Sequence, residues 1–252
     1  MRLTVLGSAA SYADAGRACS GYLIRSGETA VLFDCGNGVL SNLGKVMDPL
    51  ALDAVFISHE HIDHFADVYA LQAALRYAPD GPRPPMPLYL PTGLFERMGA
   101  VLSDRGRAEL AEAFQVRELE DNATVAVGVL SVTPHEVDHV EPTFALMATD
   151  DVAVLCYTAD TSQGEAVEAA AHGVDVLIAD ATLPPEYRGR AAHMTATEAA
   201  ELAVRADVRT LVLSHLWPSV DRAAAAREAR EIFHGRVIVA DELFDMTFPE
   251  EA

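Results

Sequence analysis

Three histidines and an aspartate stand within six residues in the stretch HEHIDH, residues 59–64, directly after the apolar run DAVFIS. Imidazole and carboxylate groups are the ligands that bind zinc and similar divalent ions. His59 and His61 are two residues apart, so in an extended backbone they lie on one side and can bind one ion. Asp63 and His64 come where the chain turns into a helix near Phe65, and they can face a second ion. The cluster therefore predicts a metal centre, since a solvated polar loop seldom gathers histidines in this way.

Further candidate ligands follow other strand-like runs. Asp160 comes after VLCYTA, His215 ends TLVLSH, and His139 follows VLSVTPHEVD. In layered α/β proteins, ligand sites gather at the carboxyl ends of strands. Each residue alone would be an ordinary loop residue. Together with HEHIDH they favour one shared site, because two ions need more ligands than a single segment offers.

The stretch TPHEVDHVEP, residues 133–142, also matches H-E-x-x-H, a zinc signature of metalloproteases. That signature requires a helix, on which two histidines four residues apart share a face. Here the match follows an alternating strand and lies between Pro134 and Pro142, so a helix does not fit. We therefore predict that His139 is a ligand and that Glu136 is not a general base. His135 is expected to be a loop residue near the site with a structural or orienting role.

The elements that position these residues are predicted by the apolar pattern. Strand-like runs occupy residues 2–7, 21–26, 30–36, 53–58, 87–91, 125–134, 143–149, 152–159, 174–180, 210–215 and 236–241. Helical spacing predicts helices over 66–78, 164–174, 196–206 and 221–233, with Thr195 as a helix N-cap. Residues 77–87 form a rigid proline-rich loop rather than a linker, because β-like sequence resumes directly after it. The pattern predicts one domain, residues 1–252, in which sheets are covered by helices.

Composition and charge narrow the function classes. The chain has 252 residues, is 50% hydrophobic and carries a formal net charge of −20, with Lys45 as its only lysine. Such a charge opposes binding to a phosphate backbone, which disfavours nucleic acid as a partner. No apolar run approaches the roughly 20 residues of a membrane span, and the N-terminal apolar run is too short for a signal peptide. We therefore expect no membrane partner and a cytoplasmic location. The three cysteines are far apart, which argues against a disulfide framework.

HEHIDH resembles the H-x-H-x-D-H motif of the metallo-β-lactamase-fold hydrolases. YTADT resembles the strand-end aspartate of that family, and LSHLWP resembles its final histidine. The segment DATLPPEYRGRAAHMTATEAAELA, residues 180–203, is similar to a segment of the ribonuclease Z-like branch. There an acidic residue before AT partners a histidine before a T-x-x-E-A helix start. The resemblance implies an α/β fold, the four-layer αββα sandwich of this family.

The resemblance also implies a role for each matching position. His59, His61 and His139 would bind one divalent ion, while Asp63, His64 and His215 would bind a second. Asp160 would bridge the two ions. The ions would be zinc, and manganese or iron also suit these ligands.

Three residues outside the metal shell also receive roles from the resemblance. Asp34 would orient a ligand histidine. His193 would be a catalytic histidine and Asp180 its orienting partner, although Asp180 departs from the glutamate expected there.

The mechanism that follows is hydrolysis by a hydroxide held between two ions about 3.5–4 Å apart. His193 would stabilise the phosphoryl oxygens and give a proton to the departing alkoxide. Asp63 is the alternative proton shuttle.

Three substrate classes remain open. The favoured class is a small phosphodiester such as a cyclic nucleotide. The second is a precursor tRNA, processed at its 3′ end as in ribonuclease Z. It is disfavoured because about twenty residues between His139 and Asp160 leave no room for a tRNA-gripping arm. The third is a thioester or lactone. Related arm-less proteins also imply a homodimer, with RYAPDGPRPPMP as a plausible contact near the site entrance.

Overall fold

The computed structural model describes residues 1–140 and 142–249. In these residues the strands are β1 to β14, in chain order Arg2–Gly7, Gly21–Ser26, Thr29–Phe33, Ala54–Phe56, Met86–Leu90, Phe114–Glu118, Val125–Val127, Leu130–Glu136, Phe144–Thr149, Val154–Tyr157, Val176–Asp180, Thr210–Ser214, Arg236–Val239 and Asp245–Thr247. The helices are α1 to α8, in chain order Val39–Leu43, Ile62–Phe65, Val68–Arg76, Leu94–Ala100, Asp104–Ala113, Glu165–Ala171, Ala196–Arg205 and Arg222–Ile232. Short 3₁₀ turns cover Pro49–Ala51 and Pro185–Tyr187.

The strands form two seven-stranded sheets, and each sheet contains both parallel and antiparallel pairs. The first sheet has the order β14-β1-β2-β3-β4-β5-β6, and the second has the order β13-β12-β11-β10-β9-β8-β7. In the first sheet β3 to β6 are parallel, and in the second β10 to β13 are parallel. The remaining pairs are antiparallel. Parallel strands end at the same edge of a sheet, so the turns after β3, β4, β10, β11 and β12 supply residues to one region.

The apolar residues separate into three layers of core. One cluster lies between the sheets and contains side chains of both, such as Tyr22 and Phe56 from the first and Tyr157 from the second. A second cluster packs α6 to α8 onto the second sheet. A third packs α1 and α3 to α5 onto the first. The layers run helix, sheet, sheet, helix, which confirms the predicted αββα sandwich.

Several predicted boundaries are wrong for local reasons. The single strand expected over 125–134 is two strands, because Gly128 (φ 56°) makes the turn between β7 and β8. The strand expected over 30–36 ends at Phe33, since Asp34 (φ 56°) leaves the extended conformation. Helices over 94–100 and 104–113 were not predicted.

Other predicted features are confirmed. Thr195 caps α7, and Gly173 (φ 71°) follows α6 as a left-handed residue. No helix in the described residues has the length and apolar character that a membrane span requires. The contact between subunits expected at 76–87 stays a prediction.

Candidate metal centre

The candidate site lies where strands of both sheets end. Three residues at these ends have left-handed backbones, namely Asp34 after β3, Ala159 after β10 and His215 after β12, with φ between 52° and 56°. A residue other than glycine adopts this backbone conformation at a cost in free energy. Residues held in this way are often found at functional sites. The bends turn the chain sharply at each strand end and help bring side chains of both sheets together.

The seven residues that the sequence suggests as metal ligands come together in space. Ligand atoms within 4.8 Å of one another define one group of His59, His61, His139 and Asp160, and another of Asp63, His64 and His215. These two groups correspond to the sets implied by the resemblance, and a third group joins Asp160 and His215 to Asp180 and His193. Their roles as ligands stay a prediction.

Asp160 lies between the two groups. Its Oδ2 is 3.5 Å from Nε2 of His59 and 3.4 Å from Nε2 of His64. Its Oδ1 is 3.2 Å from Nδ1 of His215. The carboxylate thus faces both sets of histidines, the position expected of a bridging ligand.

Two buried atoms support the fit of a cation. The His59 Nε2 and the Asp160 Oδ1 are buried and make no hydrogen bond. Leaving buried polar atoms without partners costs free energy, and both atoms are ligand types for divalent ions. The residues therefore fit a metal centre.

The electrostatics of the pocket also favour positive charge. Burial opposes ionisation of Asp160, yet neighbouring histidines, chiefly His215 and His64, hold its pKa well below the usual range. Burial likewise opposes protonation of His64, but the charges of Asp160 and Asp34 raise its pKa well above the usual range. Burial lowers the pKa of His59 to about 4, which keeps this imidazole in the neutral form that binds metal.

Asp34 orients two of the histidines. Its Oδ2 accepts a hydrogen bond from Nδ1 of His64 (2.7 Å), which directs Nε2 of His64 into the site. The Ser58 hydroxyl donates to the same oxygen (2.8 Å) and lies 3.0 Å from Nδ1 of His59. The Tyr157 hydroxyl also donates to Asp34 (2.8 Å), and the Ser58 amide donates to its other oxygen. Asp34 is fully buried and thus holds His64 directly and His59 through Ser58.

Asp180 has the same arrangement on the second sheet. Its Oδ2 accepts from Nδ1 of His193 (2.8 Å) and from the Thr161 amide (3.1 Å). The Thr182 hydroxyl donates to Oδ1 of Asp180 (2.7 Å) and lies 2.7 Å from Nδ1 of His215. The Thr182 amide also donates to Oδ1. With four hydrogen bonds, Asp180 is positioned to orient other groups rather than to bind an ion itself.

His193 stands beside the ligand groups. Its ring centroid is 4.8 Å from that of His139 and 5.7 Å from that of His215. Burial disfavours its charge, but the hydrogen bond and charge of Asp180 raise the pKa of His193 to about 9. The hydrogen bond to Asp180 therefore favours the protonated form of this imidazole.

The remaining histidines lie outside these groups. His135 is part of β8 and pairs with Ala145, so the prediction of a loop residue is wrong. The apolar alternation continues to that point, which extends the strand through His135 and the exposed Glu136. The protease helix is therefore excluded at this stretch. His172 is the C-terminal cap of α6, as expected.

Four residues of the site were not identified from the sequence. Ser58 and Thr182 each lie within two residues of a predicted site residue, which is the only sequence signal they carry. Tyr157 is an ordinary aromatic of a buried strand. The Ser11 amide donates to Oδ2 of Asp63 (2.7 Å), a contact made by a left-handed turn that no pattern announces.

Known proteins share this fold and most of this chain. A family model described as a β-lactamase superfamily domain matches residues 29–216. Rv1339 of Mycobacterium tuberculosis (strain H37Rv) is 34% identical over 98% of this chain and 92% of its own. The crystal structure of the metallo-β-lactamase fold protein YhfI from Bacillus subtilis has a TM-score of 0.87 and 28% identity, and it covers 98% of this chain and 99% of that one. A ribonuclease Z of Mycobacterium bovis (strain BCG Pasteur) is 30% identical over 96% of each chain.

The fold and the matched residues define a metal-dependent hydrolase of the metallo-β-lactamase fold. The chain belongs to the β-lactamase superfamily, and its relatives in that superfamily include YhfI and ribonuclease Z.

Proposed function

We propose that the protein is a dinuclear phosphodiesterase that hydrolyses a small phosphodiester of the cyclic nucleotide type. The observation that carries the proposal is the His193–Asp180 pair beside the ligand groups. An alkoxide leaving a phosphodiester is a strong base and needs a proton. A histidine whose pKa is raised to about 9 can supply that proton at neutral pH.

Two divalent ions are part of this proposal, with zinc favoured over manganese or iron. One ion would be held by His59, His61 and His139. The other would be held by Asp63, His64 and His215, and Asp160 would contact both ions. When bound, the ions polarise the phosphoryl oxygen and lower the pKa of water.

The chain's own residues perform the remaining work. His193, fixed through Nδ1 by Asp180, presents Nε2 to the substrate and protonates the leaving oxygen. Asp34 and Thr182 keep His64 and His215 in the orientations that direct their Nε2 atoms into the site. Asp63, whose pKa lies below the usual range because of His215 and His64 despite burial, is ionised and poorly suited to donate a proton. This favours His193 over Asp63 as the donor.

Processing of tRNA is the second candidate, and it is favoured by the ribonuclease Z name of a 30% identical relative. Against it, the described residues between His139 and Asp160 form only β9, β10 and the turns beside them. The net charge of −20 also opposes a polyanionic substrate. A thioester or lactone hydrolase is a third candidate. A thiolate is a weaker base than an alkoxide and leaves more readily, so a thioester hydrolase has less need of His193.

The test compares leaving groups in the metal-loaded protein. We expect His193→Ala to lower kcat about 10²–10⁴-fold on a 3′,5′-cyclic nucleotide, whose leaving group is an alkoxide. On bis(p-nitrophenyl) phosphate the loss is expected to be much smaller, because p-nitrophenolate leaves without a proton. His172→Ala, at the exposed end of α6, is the matched control and should leave both rates unchanged.

Turnover of the alternative substrates can contradict the proposal. Wild-type turnover of a thioester or a lactone, with no turnover of either phosphodiester, would rule out a phosphodiesterase. Efficient cleavage of precursor tRNA without cyclic nucleotide hydrolysis would favour the second candidate. Metal analysis of the same preparation should give two ions per chain.

A further inference from the structure

Two aromatic rings lie at the surface beside the candidate metal centre. The rings of Tyr187 and Trp217 are 6.0 Å apart between centroids and meet edge to face at 77°. Tyr187 is 39% exposed, and Trp217 is partly exposed. Other large rings of this chain, such as Tyr22 and Phe56, are fully buried in the core. The pair thus lies outside the core, as do the exposed rings of Tyr12 and Tyr77.

Contacts place the pair next to the ligand groups. Trp217 follows His215 by two residues, and its Nε1 donates to the hydroxyl of Ser11 (3.3 Å). The amide of the same serine donates to Asp63 (2.7 Å). A single residue, Ser11, thus separates the indole from a predicted metal ligand.

Tyr187 belongs to the loop that carries His193. It lies in the segment between β11 and α7, which contains His193 and is closed by pairing of Leu183 with Thr195. The two rings therefore belong to the two turns that supply His193 and His215. A phosphate at the metal centre would thus lie beside the two turns that carry the rings.

A cation accompanies the rings. The guanidinium of Arg190 is 5.4 Å from the centre of the Tyr187 ring. Its neighbour Arg188 is committed to Glu198 (3.2 Å) and Glu201 (2.8 Å). Arg190 has no ion pair with any described residue, and its side chain is exposed. Aromatic rings with an arginine are the combination by which proteins stack nucleobases.

We propose that Tyr187, Trp217 and Arg190 form a stacking platform for the nucleobase of a small phosphodiester. The inference rests on the proposed function, since it places the phosphate of the ligand at the metal centre. The net charge of −20 favours a ligand with one phosphate over a polynucleotide. The platform gives the enzyme a preference for nucleotide substrates over phosphodiesters that lack a base.

The test uses the fact that Trp217 is the only tryptophan of the chain. Metal-loaded protein is titrated with adenosine 5′-monophosphate and with ribose 5-phosphate, which has no base. Calorimetry measures both dissociation constants, and tryptophan fluorescence reports contact with the platform. We expect the nucleotide to quench Trp217 and to bind about tenfold or more tightly than the sugar phosphate.

Substitution of Tyr187 tests the platform while it keeps the fluorescent reporter. Tyr187→Ala should weaken nucleotide binding about 5- to 100-fold, the range found for loss of one stacking side chain, and leave ribose 5-phosphate binding unchanged. Tyr187→Phe keeps the ring and should bind as the wild type does.

Three results would overturn the platform. The first is equal affinity for the two phosphates, and the second is equal weakening of both by Tyr187→Ala. The third is a change in molar mass by light scattering in that variant, which would mean that the ring covers a contact between subunits. If the wild type still hydrolyses a cyclic nucleotide in any of these cases, the phosphodiesterase proposal stands and the platform alone fails. If it hydrolyses no phosphodiester and binds neither phosphate, both proposals fail.

Discussion

At the scale of residues, the site is organised by two buried carboxylates that each hold two histidines. Asp34 contacts His64 directly and reaches His59 through the Ser58 hydroxyl. Asp180 contacts His193 directly and reaches one further histidine through a threonine hydroxyl. A hydroxyl suits this position because it can accept from an imidazole N–H while it donates to a carboxylate. Partners of ligand histidines fix the ring orientation and the tautomer.

Thr182 is the residue that joins the predicted proton donor to a predicted metal ligand. We expect Thr182→Val, which keeps the shape and removes the hydroxyl, to weaken binding of one of the two ions about 10- to 100-fold. His215 would lose the hydroxyl that lies 2.7 Å from its Nδ1, while the ligand group of His59, His61 and His139 is not touched. Competition with a coloured chelator measures the two affinities. Thr182→Ser restores the hydroxyl and should bind both ions normally. Unchanged affinity for both ions in the valine variant would contradict this role.

At the scale of elements, the sequence predicts the strands that carry continuous apolar runs. A strand that is buried on both faces of its sheet needs apolar side chains at successive positions, and this pattern is easy to recognise. The runs at β1 and β2 match their predicted bounds. The sequence does not predict β14, because this three-residue strand exists only by pairing with β1, more than 240 residues away. It also misses α5, whose segment DRGRAELAEA is mostly polar and buries only Leu110 and Ala113.

The same reasoning explains what was predictable in the site. Residues with rare chemistry in short spacing, such as those of HEHIDH, are visible in the sequence. Connections made by common residues are not, since Ser58 and Thr182 resemble any serine or threonine until the fold brings an aspartate and a histidine to each. The left-handed backbones of Asp34 and Ala159 are also invisible in the sequence, because the usual signal of this conformation is a glycine and neither position has one.

The start of α7 is the element boundary that most affects the site. Thr195 and Glu198 form a capping box two residues after His193. Thr195→Ala should lower the free energy of unfolding by about 2 kcal/mol, the upper end for a lost cap, because Thr195 is buried. It should also lower kcat about tenfold or more, since the segment that holds His193 is anchored there.

The matched control is Ser103→Ala, which removes the hydroxyl cap of α5 in a helix that carries no site residue. We expect about 1 kcal/mol of lost stability and an unchanged kcat. Thermal or urea unfolding and steady-state kinetics measure both quantities. A wild-type kcat in the Thr195 variant would mean that the position of His193 does not depend on the cap.

At the scale of the whole molecule, the first and last described strands meet in the first sheet. β14 pairs with β1, and the N-terminal amine donates to the carbonyl of Phe248 (2.9 Å). Met246 and Phe248 are buried in the cluster between the sheets, together with residues of both sheets. This packing supports the proposal that the described residues fold as one cooperative unit.

Met246→Ala tests that coupling from the far end of the chain. The side chain lies in the first sheet, opposite Leu3, whereas the reporter Trp217 follows β12 in the second sheet. We expect a loss of about 2–4 kcal/mol, because the substitution removes buried apolar atoms and leaves a cavity. If the chain is one unit, urea unfolding followed by Trp217 fluorescence and by far-ultraviolet circular dichroism should shift to lower urea by the same amount. Thr247→Ala changes the exposed neighbour in the same strand and should shift neither curve by more than about 0.5 kcal/mol. A fluorescence transition that stays in place while the dichroism transition moves would show that the two sheets unfold separately.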